Sequence, residues 1–149
     1  MFLGFVLNDT DYDSPTITQC KTMEEQLEEL RSSLKANMSI DAEVVNFEKD
    51  PENPNRISLV ADTGEFCVGE IYEIPDDTKY VLFRYTCYDG VDIDYFLFKT
   101  YEEAHKLMSE YGDMFCEGHD LDYDFIEPMK SVIDTGEVWL VQLIYKVEE

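Results

Sequence analysis

Two stretches of this 149-residue chain alternate carboxylates at a spacing that could serve a cation. Asp9, Asp11 and Asp13 follow an apolar run, and Asp120, Asp122 and Asp124 repeat the pattern late in the chain. Alternating oxygens can wrap a hard cation, as at the start of a calcium EF-hand loop, but that loop also needs Gly at its sixth position and Glu at its twelfth. The first stretch has Ser14 and Cys20 there, and the second has Phe125 and Ser131. Neither pattern lies between two helices, so both read as solvated acidic loops. Cys116-x-x-His119 could form half a zinc site, with His105 as a third ligand. A closed site needs four ligands in paired spacing, and no second pair is evident. No Ser or Cys carries a nucleophile elbow, and no Gly-rich phosphate loop appears. No metal and no cofactor is expected.

Asp9-Thr10-Asp11 after an apolar strand resembles the nucleophile strand of haloacid-dehalogenase-type phosphatases. The resemblance implies a parallel βαβ sheet, a supporting Lys and a later acidic pair. This chain is patterned as hairpins instead, and Asp76-Asp77 falls in a linker. Paired carboxylates do acid–base work only where burial and geometry separate their pKa values. The expectation is a protein that binds and does not catalyse.

What it binds is suggested by charge. Thirty-four Asp and Glu against eleven Lys and Arg leave a net charge of −23. Such a field attracts cationic surfaces and repels nucleic acid and anionic membrane. The acids cluster at Asp9–Asp13, Glu48–Glu52, Asp76–Asp77, Asp89–Asp94 and Glu117–Glu127, interleaved with Tyr12, Tyr88, Tyr95 and Tyr123. Alternate residues of an extended strand set like-facing carboxylates ~6.6–6.8 Å apart, comparable with successive phosphates along a nucleic-acid strand. Interleaved tyrosines add rigid, amphipathic contact area.

The elements that must position these acids are legible in outline. Ten Tyr, nine Phe and one Trp exclude an acidic disordered tail and support a folded core. Residues 2–25 align without a gap on residues 80–103: Phe5 falls on Phe83, Asp11 on Asp89, and Lys21-Thr22 on Lys99-Thr100. Asp62-Thr63-Gly64-Glu65 recurs as Asp134-Thr135-Gly136-Glu137, and Ile71-Tyr72 as Ile144-Tyr145. The second copy is therefore about six residues shorter between its helix and its final hairpin. Each copy opens with a strand, Phe2–Asn8 or Tyr80–Tyr88, with Leu3, Phe5 and Leu7, or Val81, Phe83 and Tyr85, on one face. A second strand follows, at Thr16–Cys20 or Ile93–Phe98, and Asp89-Gly90 is a hairpin signal. Thr22-Met-Glu-Glu25 and Thr100-Tyr-Glu-Glu103 are capping boxes. Apolar stripes follow them: Met23, Leu27, Leu30 and Leu34, then Tyr101, Ala104, Met108, Tyr111 and Phe115. Later strands are expected near 43–48, 56–61 and 65–74, and in the second copy near 131–133 and 138–147. The fold class is α+β: an antiparallel sheet with one long amphipathic helix per repeat. Two pseudo-symmetric ββαββ-like units, 1–75 and 79–149, are expected to pack as one compact unit.

Met1–Leu7 is apolar but too short for a signal h-region, and no basic n-region precedes it. Four scattered cysteines suggest free thiols in a reducing cytoplasm. In size, acidity and aromatic–acid mixing the whole chain resembles the small nucleic-acid mimics of phages and mobile elements, the anti-CRISPR and anti-restriction proteins. That resemblance implies a non-enzymatic inhibitor occupying the nucleic-acid groove of a defence nuclease or CRISPR effector. Candidate contacts are Asp9, Asp11, Asp13, Asp89, Asp92, Asp94, Glu117, Asp120, Asp122 and Asp124. An acidic adaptor that binds some other basic host or phage protein is the alternative. A halophilic origin fits poorly, because such proteins shed Lys and large apolar residues, while this chain keeps eight Lys and nineteen Phe plus Tyr.

Overall fold

The computed structural model describes residues 1–8, 14–38, 46–60, 67–88 and 90–148. A continuous apolar run suits a strand buried on both faces, and Phe2–Asn8 forms such a strand, β1, an interior strand of a five-stranded antiparallel sheet. Its partners are β2 (Thr16–Cys20), β3 (Asn46–Lys49), β4 (Arg56–Val60) and β5 (Cys67–Glu73), in the order β2-β1-β5-β4-β3. Helix α1 (Met23–Met38) connects β2 to β3.

The second unit repeats this plan. Strands β6 (Tyr80–Tyr88), β7 (Gly90–Phe98), β8 (Phe125–Glu127), β9 (Lys130–Asp134) and β10 (Trp139–Lys146) form a sheet ordered β7-β6-β10-β9-β8, and α2 (Tyr101–His119) joins β7 to β8. The chain divides into compact units at Met1–Asp76 and Asp77–Glu149. The fold is α+β, as the sequence indicates, with ββαβββ in each unit.

Strand register carries the repeat. Phe2 pairs with Cys20 and Glu73 in the first sheet, and Tyr80 pairs with Phe98 and Lys146 in the second. Each of these residues sits at the same sequence offset from its counterpart as its neighbours in that strand do. The shortening of the second copy falls at one connection: Asp50–Asn55 joins β3 to β4, whereas only Pro128 and Met129 join β8 to β9. Strand β8 is the element the sequence reading lacks. Its three residues are too few to show alternation, and pairing with β9 makes it a strand.

Both helices begin where the capping boxes place them. The Thr22 hydroxyl accepts from the Glu25 N–H at 3.2 Å, and Thr100 accepts from Glu103 at 3.3 Å. In the first unit, Leu30 packs with Val6 and Ile71, joined by Met23 and Leu27. In the second, Ala104 and Met108 pack on Leu82 and Ile144, and Cys116 packs on Ile133 and Leu140. The strand face pointing away from each helix is buried too: Leu3, Phe5 and Leu7 in β1, and Val81, Phe83 and Tyr85 in β6.

Each unit has its own buried polar contacts. Gln26 of α1 is fully buried, and its Nε2 donates to Thr18 Oγ1 at 2.7 Å. It lies against Gly4, where a Cβ would collide with the amide. Buried Glu70 accepts from Arg56 Nη2 at 2.6 Å and also from the Tyr72 hydroxyl. Burial alone would lower the Arg56 pKa, but the hydrogen bond and charge of Glu70 outweigh it and raise the guanidinium above its usual value. In the second unit, buried Gln142 donates to the Met108 carbonyl at 2.9 Å and accepts from Arg84 Nε at 3.1 Å. Among the described residues, Cys20, Cys87 and Cys116 are free thiols, and no helix is long and apolar enough to cross a membrane.

Candidate functional site

Strand register ranks the residues of the second sheet from one end to the other. At one end lies the row Asp92, Thr86, Leu140 and Ile133, with Val91, Cys87, Trp139 and Asp134 one step beyond it. The helix follows the same axis. Met108, in its first half, packs on Leu82 and Ile144 towards the other end of the sheet, while Cys116, near its C-terminus, packs on Ile133 and Leu140. The C-terminal half of α2, the start of β7, the β9–β10 turn and the loop 120–124 therefore gather at one end of this unit.

That end is acidic. Glu117 is exposed on the last turns of α2, and Asp120 caps the helix in the left-handed conformation (φ 53°), which Asp tolerates better than most residues. The chain then turns back along α2. Tyr123 lies against Gly112, where a Cβ would collide with the phenol, and its hydroxyl donates to Asp113 Oδ1 at 2.7 Å. Burial and this hydrogen bond push the Tyr123 pKa up. Asp124 accepts from the Asp134 N–H, and Asp134 Oδ1 accepts from the Gly136 N–H at 2.8 Å. Asp124 and Asp134 therefore organise backbone, whereas the carboxylates of Glu117 and Asp122 make no hydrogen bond or ion pair among the described residues. Burial raises the Cys116 pKa, and the charges of Asp113, Asp122 and Asp124 raise it further.

Asp92 and Asp94 are exposed two residues apart on edge strand β7. They share the face of Phe96, which is the face that α2 covers. Asp94 stands across from Arg84, whose guanidinium lies 3.5 Å from the Tyr111 ring centroid and 5.0 Å from that of Phe96. Burial lowers the Arg84 pKa, partly opposed by Tyr111 and Asp94. The β7 and β8 edges are four strand spacings apart, about 19 Å. Asp92 thus flanks the Glu117–Asp124 group on the same side and at the same end, while Asp94 lies on that side in the middle row of the sheet. Asp9, Asp11, Asp13 and Asp89 lie outside the described residues.

The lysines of this unit lie elsewhere. Lys79, Lys99 and Lys146 sit at the far end of the sheet, Lys106 in the second turn of α2, and Lys130 at the start of β9. Sequence reading missed Asp113, a carboxylate of the acidic end that holds Tyr123. The signal was available, since Glu103, Glu110, Asp113 and Glu117 line the face of α2 opposite its apolar stripe.

Cys116 and His119 have different surroundings. Cys116 is buried, and the His119 ring stacks on Phe115 at 4.2 Å, with Nδ1 2.9 Å from the Phe115 carbonyl oxygen. Among the described residues, no three of His, Cys, Asp and Glu are placed to share a metal ion. Fold and site together define an α+β protein of two ββαβββ units, the second carrying an acidic end from which its lysines are absent. No protein-family model, curated protein or solved structure matches the chain.

Proposed function

We propose that the acidic end of the second unit is a docking surface for a positively charged nucleic-acid-binding groove, and that the protein acts there as a non-enzymatic nucleic-acid mimic. A defence nuclease or CRISPR effector is the kind of partner this reading names. The observation that supports it is the placement of the lysines: Glu117, Asp120, Asp122 and Asp92 are exposed at one end, with Asp94 next along β7 on the same face, while the lysines lie away from that end. A surface that was acidic only for solubility would mix the signs along its length. Complementary fields speed association with a basic groove and exclude acidic competitors.

The test is capture followed by competition. The protein is used to isolate its partner from host lysate, and excess duplex DNA or guide-length RNA is then added to the complex. Displacement is expected of a mimic; a complex that survives identifies an adaptor bound at another site. The double variant Glu117→Lys, Asp122→Lys is expected to weaken capture about tenfold or more, mainly through association rate. Asp92→Lys with Asp94→Lys is expected to do the same if both flanks engage one groove. Unchanged binding by both variants would remove the acidic end from the interface.

A further inference from the structure

Strand β7 forms one edge of the second sheet, and its outer side has no strand partner among the described residues. It is also the longest of the described edge strands: nine residues, against five in β2, four in β3 and three in β8. Every second residue of an edge strand turns its N–H and C=O away from the sheet, so a bare edge is a template for another strand. Proteins blunt such edges with a bulge, a proline or a very short strand. Strand β7 has none of these. It keeps one unbroken antiparallel register with β6, from Tyr88 against Gly90 to Tyr80 against Phe98, and contains no proline.

What β7 carries instead is charge of one sign. Asp92 and Asp94 are exposed two residues apart on the face that α2 covers. Strand geometry sets such neighbours ~6.6–6.8 Å apart. Their carboxylates make no hydrogen bond or ion pair among the described residues. Arg84 stands across from Asp94 and the two attract, but its guanidinium is drawn over the Tyr111 and Phe96 rings and closes no ion pair with that carboxylate. The other face of β7 is apolar at Ile93, which is buried, and at Leu97, which is 40% exposed.

These features choose among occupants. A second copy brings the same net charge of −23, and pairing centred on Ile93 would set carboxylate against carboxylate. A nucleic-acid strand is repelled by the same field. An extended segment with Lys or Arg at alternate positions fits. Residues directly opposite in a ladder share a face, so its cations meet Asp92 and Asp94 while the residues between them lie on the face of Ile93 and Leu97.

We propose that the β7 edge pairs with an extended basic segment of a partner protein, in which Lys or Arg alternates with apolar residues, and adds it to the five-stranded sheet. Backbone hydrogen bonds hold the segment, and the two carboxylates select it. The pairing shares Asp92 with the acidic end but requires no nucleic-acid-binding groove, and its test contains none, so either can fail alone.

The probe is the acetylated, amidated peptide Lys-Val-Lys-Val-Lys, titrated into the full chain at fixed ionic strength and followed by backbone-amide NMR. Saturable shifts are expected along β7, with hydrogen exchange slowed at alternate β7 amides. A peptide of the same composition with its lysines contiguous is expected to bind about tenfold more weakly. Only one set of peptide amides faces β7, so N-methylation of the valines and N-methylation of the lysines are expected to differ, one abolishing binding and the other sparing it. Asp92→Lys with Asp94→Lys is expected to lose the basic peptide and to gain Glu-Val-Glu-Val-Glu, a swap that a merely destabilised fold would not give. Non-saturable shifts, equal affinity for the contiguous peptide, equal effects of the two methylations, or unchanged binding in the double lysine variant would each overturn the proposal.

Discussion

Single side chains decide how firmly the acidic end is held. Gln142 joins strand, helix and guanidinium: it donates to the Met108 carbonyl and accepts from Arg84, whose Nη2 already lacks a hydrogen-bond partner among the described residues. Replacing it with an apolar residue of similar size orphans the Arg84 Nε–H and takes from the Met108 carbonyl the bond it accepts beyond its helical one. Gln142→Leu is therefore expected to destabilise the protein by about 2–3 kcal/mol, read from chemical denaturation. Cys87 gives a second test at this scale. Burial pushes its thiol from 9.0 up to about 11. A group that holds its proton more tightly when folded favours the native state below its unfolded pKa, and that advantage is lost as pH rises through the folded value. Stability should thus decline from about pH 9 towards pH 11. At pH 9 the folded thiol should be roughly fifty-fold less ionised than the unfolded one, so alkylation at Cys87, mapped by mass spectrometry, should be slow in buffer and rapid in denaturant.

At the scale of elements, the helices were the most legible parts of the chain. Their capping threonines and apolar stripes act within a few residues, so local sequence specifies them. Thr100→Ala should remove the acceptor for the Glu103 N–H and cost about 1 kcal/mol, measured as a drop in denaturation midpoint with α2 otherwise intact. Strands β1, β2, β6 and β10 were legible from alternation, from long apolar runs and from their repetition. Strand β8 was not, because its existence depends on β9, which lies beyond a two-residue turn. The candidate site was legible as composition and opaque as geometry. The sequence shows clustered acids at Asp92–Asp94 and Glu117–Asp124. It does not show that strand register and the run of α2 bring Asp92 and the Glu117–Asp124 group to one end, or that Asp124 serves the backbone while Asp122 does not. Those distinctions come from pairing partners distant in sequence.

For the whole molecule, the net charge of −23 is a standing cost to compactness. The charges of Asp113, Asp122 and Asp124 all raise the Cys116 pKa, so like charges share the neighbourhood of that thiol. Raising sodium chloride shortens the screening distance from about 8 Å at 0.15 M to about 3 Å at 1 M. The melting temperature is expected to rise over that range in differential scanning calorimetry, and a flat profile would show that the clustered acids do not burden the fold.

Two near-copies in one chain face a hazard during synthesis: a strand of one can be captured by the sheet of the other. The buried amides discriminate against that error. Val6 occupies in β1 the position that Arg84 occupies in β6, and Gly69 stands in β5 where Gln142 stands in β10. If β1 were to pair with β10, Gln142 would face Val6 and lose its donor. If β6 were to pair with β5, Arg84 would face Gly69 and lose its acceptor. Each mispaired intermediate would strand a polar group away from water, at about 1–3 kcal/mol apiece, so divergence at these few positions acts as a proofreading step that keeps each nascent sheet with its own strands.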